Sequence, residues 1–291
     1  MTMSKRFLFR LPRLATALLA LGLGAAATAA PVNQIPSCYA AGKLELKPEP
    51  VRRAFFIVLD ETVVLDDALK RSLWELVKPV VVPGTEVSIY RFSAYSQGKY
   101  LDVVASGVLE TPIQAGVRDS VSVPKLKTFD ACMNGQAQYG LALTRNAIGK
   151  VLADSSFDLA KSDIDGSLFA LSKAVKDSKA PVRTVLLVSD MLENSTVSSF
   201  YQNKGVRNID PAVELKKVEA AKLFGDFGGA SVYVMGAGLI QVPAGGAASR
   251  SAQYRDTRTM SSLQQFWTAY FARSNARLEA FGMPALLTTI K

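Results

Sequence analysis

Asp60, Glu61 and Thr62 follow directly on the apolar run Phe55-Phe56-Ile57-Val58-Leu59. A continuous apolar run of this length belongs inside a sheet, so it delivers two carboxyl groups and a hydroxyl to the C-terminal end of a strand. The arrangement recurs where Val185-Leu186-Leu187-Val188 leads through Ser189 to Asp190. Between these two places Ser162 and Asp163 precede the amphipathic stretch "DIDGSLFALSKAVKD". Two carboxylates, Asp60 and Asp190, with the hydroxyls of Thr62 and Ser162, form an oxygen set suited to a hard divalent cation, Mg2+ or Mn2+. The same residues have a plainer use: the aspartates can cap neighbouring helices, and the hydroxyls can satisfy loop amides.

What is missing narrows the chemistry further. The chain contains no histidine, which excludes Ser-His-Asp and Cys-His nucleophile activation and every His-ligated zinc or iron site. Its two cysteines cannot by themselves hold zinc. Asp60 at a strand end also suits the nucleophile of a haloacid-dehalogenase-like phosphohydrolase. That family needs a second acid two residues on, and here Thr62 stands there. "SVPK" (122–125) has Ser-x-x-Lys spacing, but Pro124 is expected to keep the pair off a regular helix. "GAGLIQ" ends in Gln241 where a dinucleotide fingerprint requires glycine. No catalytic residue is therefore assigned, and the chain is expected not to be an enzyme.

Residues 1–29 carry Lys5, Arg6, Arg10 and Arg13 without an acid, then a short apolar stretch ending Ala27-Thr28-Ala29. These are the marks of a cleavable signal peptide, with export to a periplasmic or secreted location. No later segment is long and apolar enough to span a membrane after cleavage. Net charge is +9 for the whole chain and, once the four leader cations are removed, 30 − 25 = +5. The basic residues are scattered, which gives nucleic-acid binding no support. Arg250, Arg255 and Arg258 read as a solvated loop. In an oxidising compartment Cys38 and Cys132 are expected to form a disulfide, linking an irregular lead-in to the helical layer.

The elements that position these residues are expected as strands at 53–60, 85–92, 101–109, 182–190 and 230–238. Helices are expected near 65–81, 130–154, 163–177, 210–227 and 261–282, with a long loop at 111–128. Asp66, Asp67 and Asp210 are placed as N-caps or first-turn acids. Buried strands alternating with helices predict a mostly parallel, doubly wound α/β sheet, one antiparallel edge hairpin strand, and helices on both faces. In such sheets ligands bind beyond the carboxyl ends of the strands, where the strand order reverses. The expected layout is a leader (1–29), a lead-in (30–52), an α/β domain (53–240), a flexible basic loop (241–257) and a C-terminal helix with tail (258–291). The last helix carries Leu263, Phe266, Trp267, Tyr270, Phe271, Leu278 and Phe281 at helical spacing, which suits core packing or partner docking.

Over roughly residues 53–240 the chain resembles the von Willebrand factor A domain family, whose metal-ion-dependent adhesion site has the pattern D-x-S-x-S, a threonine in a second loop and an aspartate in a third. Asp60 and Thr62 look like its first aspartate and serine, and the second serine falls on Val64, which cannot ligate a metal. Ser162-Asp163-Ile164-Asp165-Gly166-Ser167-Leu168 is similar to the family's T-D-I-x-x-A-L, and Val188-Ser189-Asp190-Met191 to its L-T-D-G. The resemblance implies a protein-binding module that uses the loops at the C-terminal edge of the sheet, with Glu61, Asp163 and Met191 as expected partner contacts. Its implied partner is another protein of an envelope or secretion-related assembly. Two readings of the degenerate adhesion site stay open, a weak Mg2+ or Mn2+ site and a vestigial one.

Overall fold

The computed structural model describes residues 32–93, 101–156, 162–202, 205–239 and 257–291. The expected leader, the basic loop over 241–256 and Gln241 lie outside the described residues.

The main sheet has six strands: β1 (Arg53–Asp60), β2 (Thr85–Phe92), β3 (Asp102–Val108), β4 (Val182–Val188), β7 (Ala230–Met235) and β8 (Ala276–Phe281), in the order β3-β2-β1-β4-β7-β8. A short hairpin of β5 (Tyr201–Gln202) and β6 (Gly205–Val206) stands apart from it. β1 pairs in parallel with β2 on one side and β4 on the other. Among the described residues of the main sheet, β3 alone runs antiparallel, against β2. From β1 the chain builds outward through β2 and β3, then returns across β1 to lay β4, β7 and β8 on the far side. The order therefore reverses between β1 and β4, which makes the gap at their C-terminal ends a topological switch point.

The apolar run of β1 is unbroken because both of its faces are covered. Ala54, Phe56 and Val58 enter one core with helices α5 (Ile164–Asp177), α6 (Pro211–Ala220) and α7 (Thr257–Arg273). Phe55, Ile57 and Leu59 enter the other, with α2 (Asp67–Val77) and the second half of α4 (Val123–Asp154). Alternation of successive side chains across the sheet supplies both cores from one strand. Local signals start the helices as expected. Asp66 accepts the Leu69 amide at 2.8 Å, and Asp210 accepts the amides of Ala212 and Val213 with Pro211 in the first turn.

Cys38, in the short helix α1 (Cys38–Ala41), is bonded to Cys132 of α4 with a Cα–Cα distance of 5.4 Å. Tyr39 packs edge-on to Phe129 beside the bridge, at 5.1 Å between ring centroids. The lead-in is fastened again by buried Glu110, which accepts the Ser37 hydroxyl and the Cys38 amide, each at 2.6 Å. The disulfide is thus seated in a small core of its own.

Two expectations fail, and a third is shortened: the helix expected over 210–227 stops at Ala220. The 111–128 segment is not a loop: α3 (Ala115–Arg118) occupies part of it, and α4 begins at Val123. Pro124 lies in the first turn of α4, where a missing amide hydrogen costs nothing, so it starts the helix rather than breaking it. The C-terminal segment is not one helix with a tail. α7 stops at Arg273, Asn275 takes a left-handed conformation (φ 52°), and Ala276–Phe281 joins the sheet as β8, parallel to β7. Arg277 and Glu279 alternate with less polar neighbours at the strand period, a pattern that the preceding aromatic helix masks.

Candidate functional site

At the end of β1 the Asp60 carboxylate is nearly closed off from solvent, 2% exposed, and accepts four hydrogen bonds. Oδ1 takes the amide (3.0 Å) and hydroxyl (2.6 Å) of Thr62, which sits two residues on in the turn that leaves the strand. Oδ2 takes the hydroxyls of Ser162 (3.1 Å) and Ser189 (2.8 Å). Three loops that are distant in sequence thus meet on one carboxylate. Burial pushes the Asp60 carboxyl up, and the bonds from Thr62, Ser189 and Ser162 oppose that shift.

Asp190 sits beside it, one residue beyond Ser189. Its Oδ1 accepts the Leu192 amide (2.9 Å) and its Oδ2 accepts the Tyr201 hydroxyl (2.8 Å). Burial, with the negative charge of Asp60 next, pushes Asp190 up to about 7. The peptide following β4 is held closely on the other side as well. Gly236 has φ +102°, and a Cβ there would stand 2.9 Å from the Ser189 carbonyl oxygen, so only glycine lets the end of β7 approach this closely.

The residues expected to meet a partner are placed differently. Glu61 is half-buried and paired with Arg91 at the end of β2, Nη1 to Oε1 3.2 Å. Asp163 is the N-cap of α5 and accepts the Gly166 amide at 2.8 Å. Met191 is fully buried, which removes it from the expected contact surface. Its backbone is left-handed (φ 60°), its side chain enters the core beneath α7, and its carbonyl accepts the Trp267 indole N–H at 2.9 Å. The large apolar residues of α7 resolve in the same way: Leu263, Phe266, Trp267, Tyr270 and Phe271 are core, not surface, while Leu278 and Phe281 are half-buried in β8.

A second acidic group lies behind the first. Glu193 Oε2 accepts the amides of Ile164 and Asp165, both at 2.9 Å, and so caps the start of α5 from the loop after β4. Asp165 is 1% exposed and neither of its carboxylate oxygens has a hydrogen-bond partner. Burial, then the charges of Asp163 and Glu214, pushes it up to about 8. Glu193 is pushed well above the usual carboxylate range by burial and by Asp165. Sequence reasoning missed Glu193, Asp165 and Tyr201, since none stands at the C-terminal end of a main-sheet strand. Ser189 had a signal, as the residue directly before Asp190.

Two carboxylates and three hydroxyls, those of Thr62, Ser162 and Ser189, are hard oxygen donors, so in type the set fits Mg2+ or Mn2+. It is lean in charge. Val64 contributes no side-chain donor, and among the described residues no group of three or more His, Cys, Asp or Glu side chains converges to hold a metal ion.

No family model matches the chain, and no curated protein matches it. Solved structures with a similar arrangement include proximal thread matrix protein 1 from the mussel byssus, at 14% identity and TM-score 0.30. That match covers 65% of this chain and 39% of the byssus protein. Another is an aerotolerance-related membrane protein from Bacteroides fragilis NCTC 9343, at 13% identity and TM-score 0.34, covering 79% of this chain and 90% of that one. A third is the TFIIH p34 N-terminal domain, at 11% identity and TM-score 0.26, covering 75% and 98%. Among the described residues no helix is long and apolar enough to cross a membrane.

Proposed function

We propose that this chain is an exported, von Willebrand A-like, non-catalytic module that binds another protein of an envelope assembly through the loops at the C-terminal edge of its sheet. The observation that supports the reading best is the convergence of Thr62, Ser162 and Ser189 on Asp60 at the β1/β4 switch point. A disulfide-bonded core is in keeping with an oxidising compartment. The phosphohydrolase alternative is the weaker reading, because the second acid that family needs two residues on is replaced by Thr62, whose hydroxyl donates to Asp60 Oδ1.

A divalent cation is a weak, auxiliary ligand in this reading. Asp60 and Asp190 with the three hydroxyls would hold it, and its charge would relieve the repulsion between the two carboxylates.

Pull-down of the full chain from its own cell envelope, with and without a chelator, tests the function. Thr196→Arg changes an exposed position in the loop after β4, and Lys179→Glu one at the opposite edge of the sheet. A partner retained by wild type and Lys179→Glu but lost by Thr196→Arg supports the reading. A partner retained equally by both variants overturns it.

A further inference from the structure

α2 and α4 lie over the same face of the sheet and leave between them a groove of about 570 Å3. Its floor is apolar, made by Leu73 and Ile148 with the half-buried ring of Trp74. Gly149 lines the gap without a side chain, and a Cβ placed there would meet no heavy atom within 4 Å, so the space beside it is open. The rim is cationic. Lys70, Arg71 and Arg145 line it against a single acid, Glu75. Among the described residues Lys70 has a single long contact, with exposed Asp67 at 3.9 Å, which leaves it available to a ligand. Arg145 is already placed, its guanidinium carbon 5.4 Å from the centroid of the Trp74 ring. A guanidinium held over an aromatic face keeps its N–H fork for a planar anion, and loses little freedom on binding one.

An apolar floor under a cationic rim selects for a molecule that carries both characters. Hydrocarbon laid on Trp74 and Ile148 gains roughly 25 cal/mol per Å2 removed from water, and the rim adds a charge-assisted bond to one head group. The volume falls within the roughly 300–1,000 Å3 of small-molecule sites, which suits one short chain or ring system better than a partner helix about 10 Å across. We infer that the α2/α4 groove binds a small amphipathic anion, an acyl or aryl carboxylate, with its hydrocarbon on Trp74 and its head group on Arg145. This site is separate from the sheet-edge loops and does not depend on the partner-binding reading.

Calorimetric titration of the purified protein with decanoate, and with the neutral alcohol decanol, tests it. Saturable decanoate binding at roughly 100 µM or tighter is expected, with decanol at least about 10-fold weaker. Gly149→Leu fills the groove at an exposed helix position and should abolish binding while leaving the melting temperature unchanged or higher. Arg145→Gln should weaken decanoate by about 10-fold and leave decanol unaffected. Absence of saturable decanoate binding up to about 1 mM overturns the inference. So does binding that Gly149→Leu leaves intact, or equal affinity for the acid and the alcohol.

Discussion

The Ser189 hydroxyl donates to Asp60 Oδ2 over 2.8 Å, joining the ends of β1 and β4 where the sheet changes direction of growth. The bond is one of four on that carboxylate, so Asp60 is the member whose loss strands the most groups. Asp60→Ala leaves the hydroxyls of Ser162 and Ser189 in a closed site without their acceptor. A destabilisation of about 2–4 kcal/mol is expected, against about 1 kcal/mol for Ser189→Ala. Urea unfolding followed by circular dichroism measures both, and an unchanged midpoint for Asp60→Ala would contradict the network.

If a cation binds at this edge, added Mg2+ or Mn2+ must raise the melting temperature, since a ligand bound only to the native state stabilises it by mass action. The increment should vanish in Asp60→Ala and grow in Val64→Ser, which restores a hydroxyl at the half-buried position where the side chain offers no donor. Melting curves at millimolar cation decide the matter. A flat response in both wild type and Val64→Ser leaves the partner surface without its metal.

Asp165 predicts the direction of a pH dependence. Its folded-state value is raised from 3.8 to about 8, so between those limits the native state keeps a proton that the unfolded chain releases. Stability should therefore fall as pH rises from about 4 towards 8, with the loss complete above that range. Asp165→Asn removes the ionisation and should flatten the slope, raising stability at pH 8 by an amount on the order of 2 kcal/mol. Unfolding free energies across this window check it. A wild-type stability that rises steadily over the same interval would reverse the assignment.

The Cys38–Cys132 bridge closes a separation of 94 residues. The chain-entropy argument gives about 4–5 kcal/mol for a loop of this size, with native strain lowering the realised amount. Non-reducing digestion of the purified protein should yield one linked peptide pair by mass spectrometry. Cys132→Ser should lower the urea midpoint markedly, and two free thiols in the wild type would rule the bridge out.

β1 and β4 were legible in the sequence because strands covered on both faces need unbroken apolar runs, with Asp60 closing the first and Asp190 two residues beyond the second. The caps at Asp66 and Asp210 were legible for a similarly local reason: the side chain acts within three residues. β8 was not, since "ARLEAF" follows an aromatic helix without proline or glycine between, and only left-handed Asn275 marks the break. At the site, Asp60, Thr62, Ser162 and Asp190 could be placed from strand ends and loop position. Met191 could not, because burial beneath α7 depends on residues some seventy positions later, Trp267 among them. Tyr201 and Glu193 act through tertiary geometry alone, and nothing adjacent to either in sequence announces it.

β8 and α7 also impose an order of events on a chain that emerges amino terminus first. Phe56 of β1 shares its core with Phe266, Trp267 and Phe271, and β7 acquires its outer neighbour only when residues 276–281 arrive. Until then that core has α5 and α6 but not its largest aromatic group, and the outer side of β7 has no strand to pair with. Any nascent portion ending before residue 257 is thus held short of closure by topology alone.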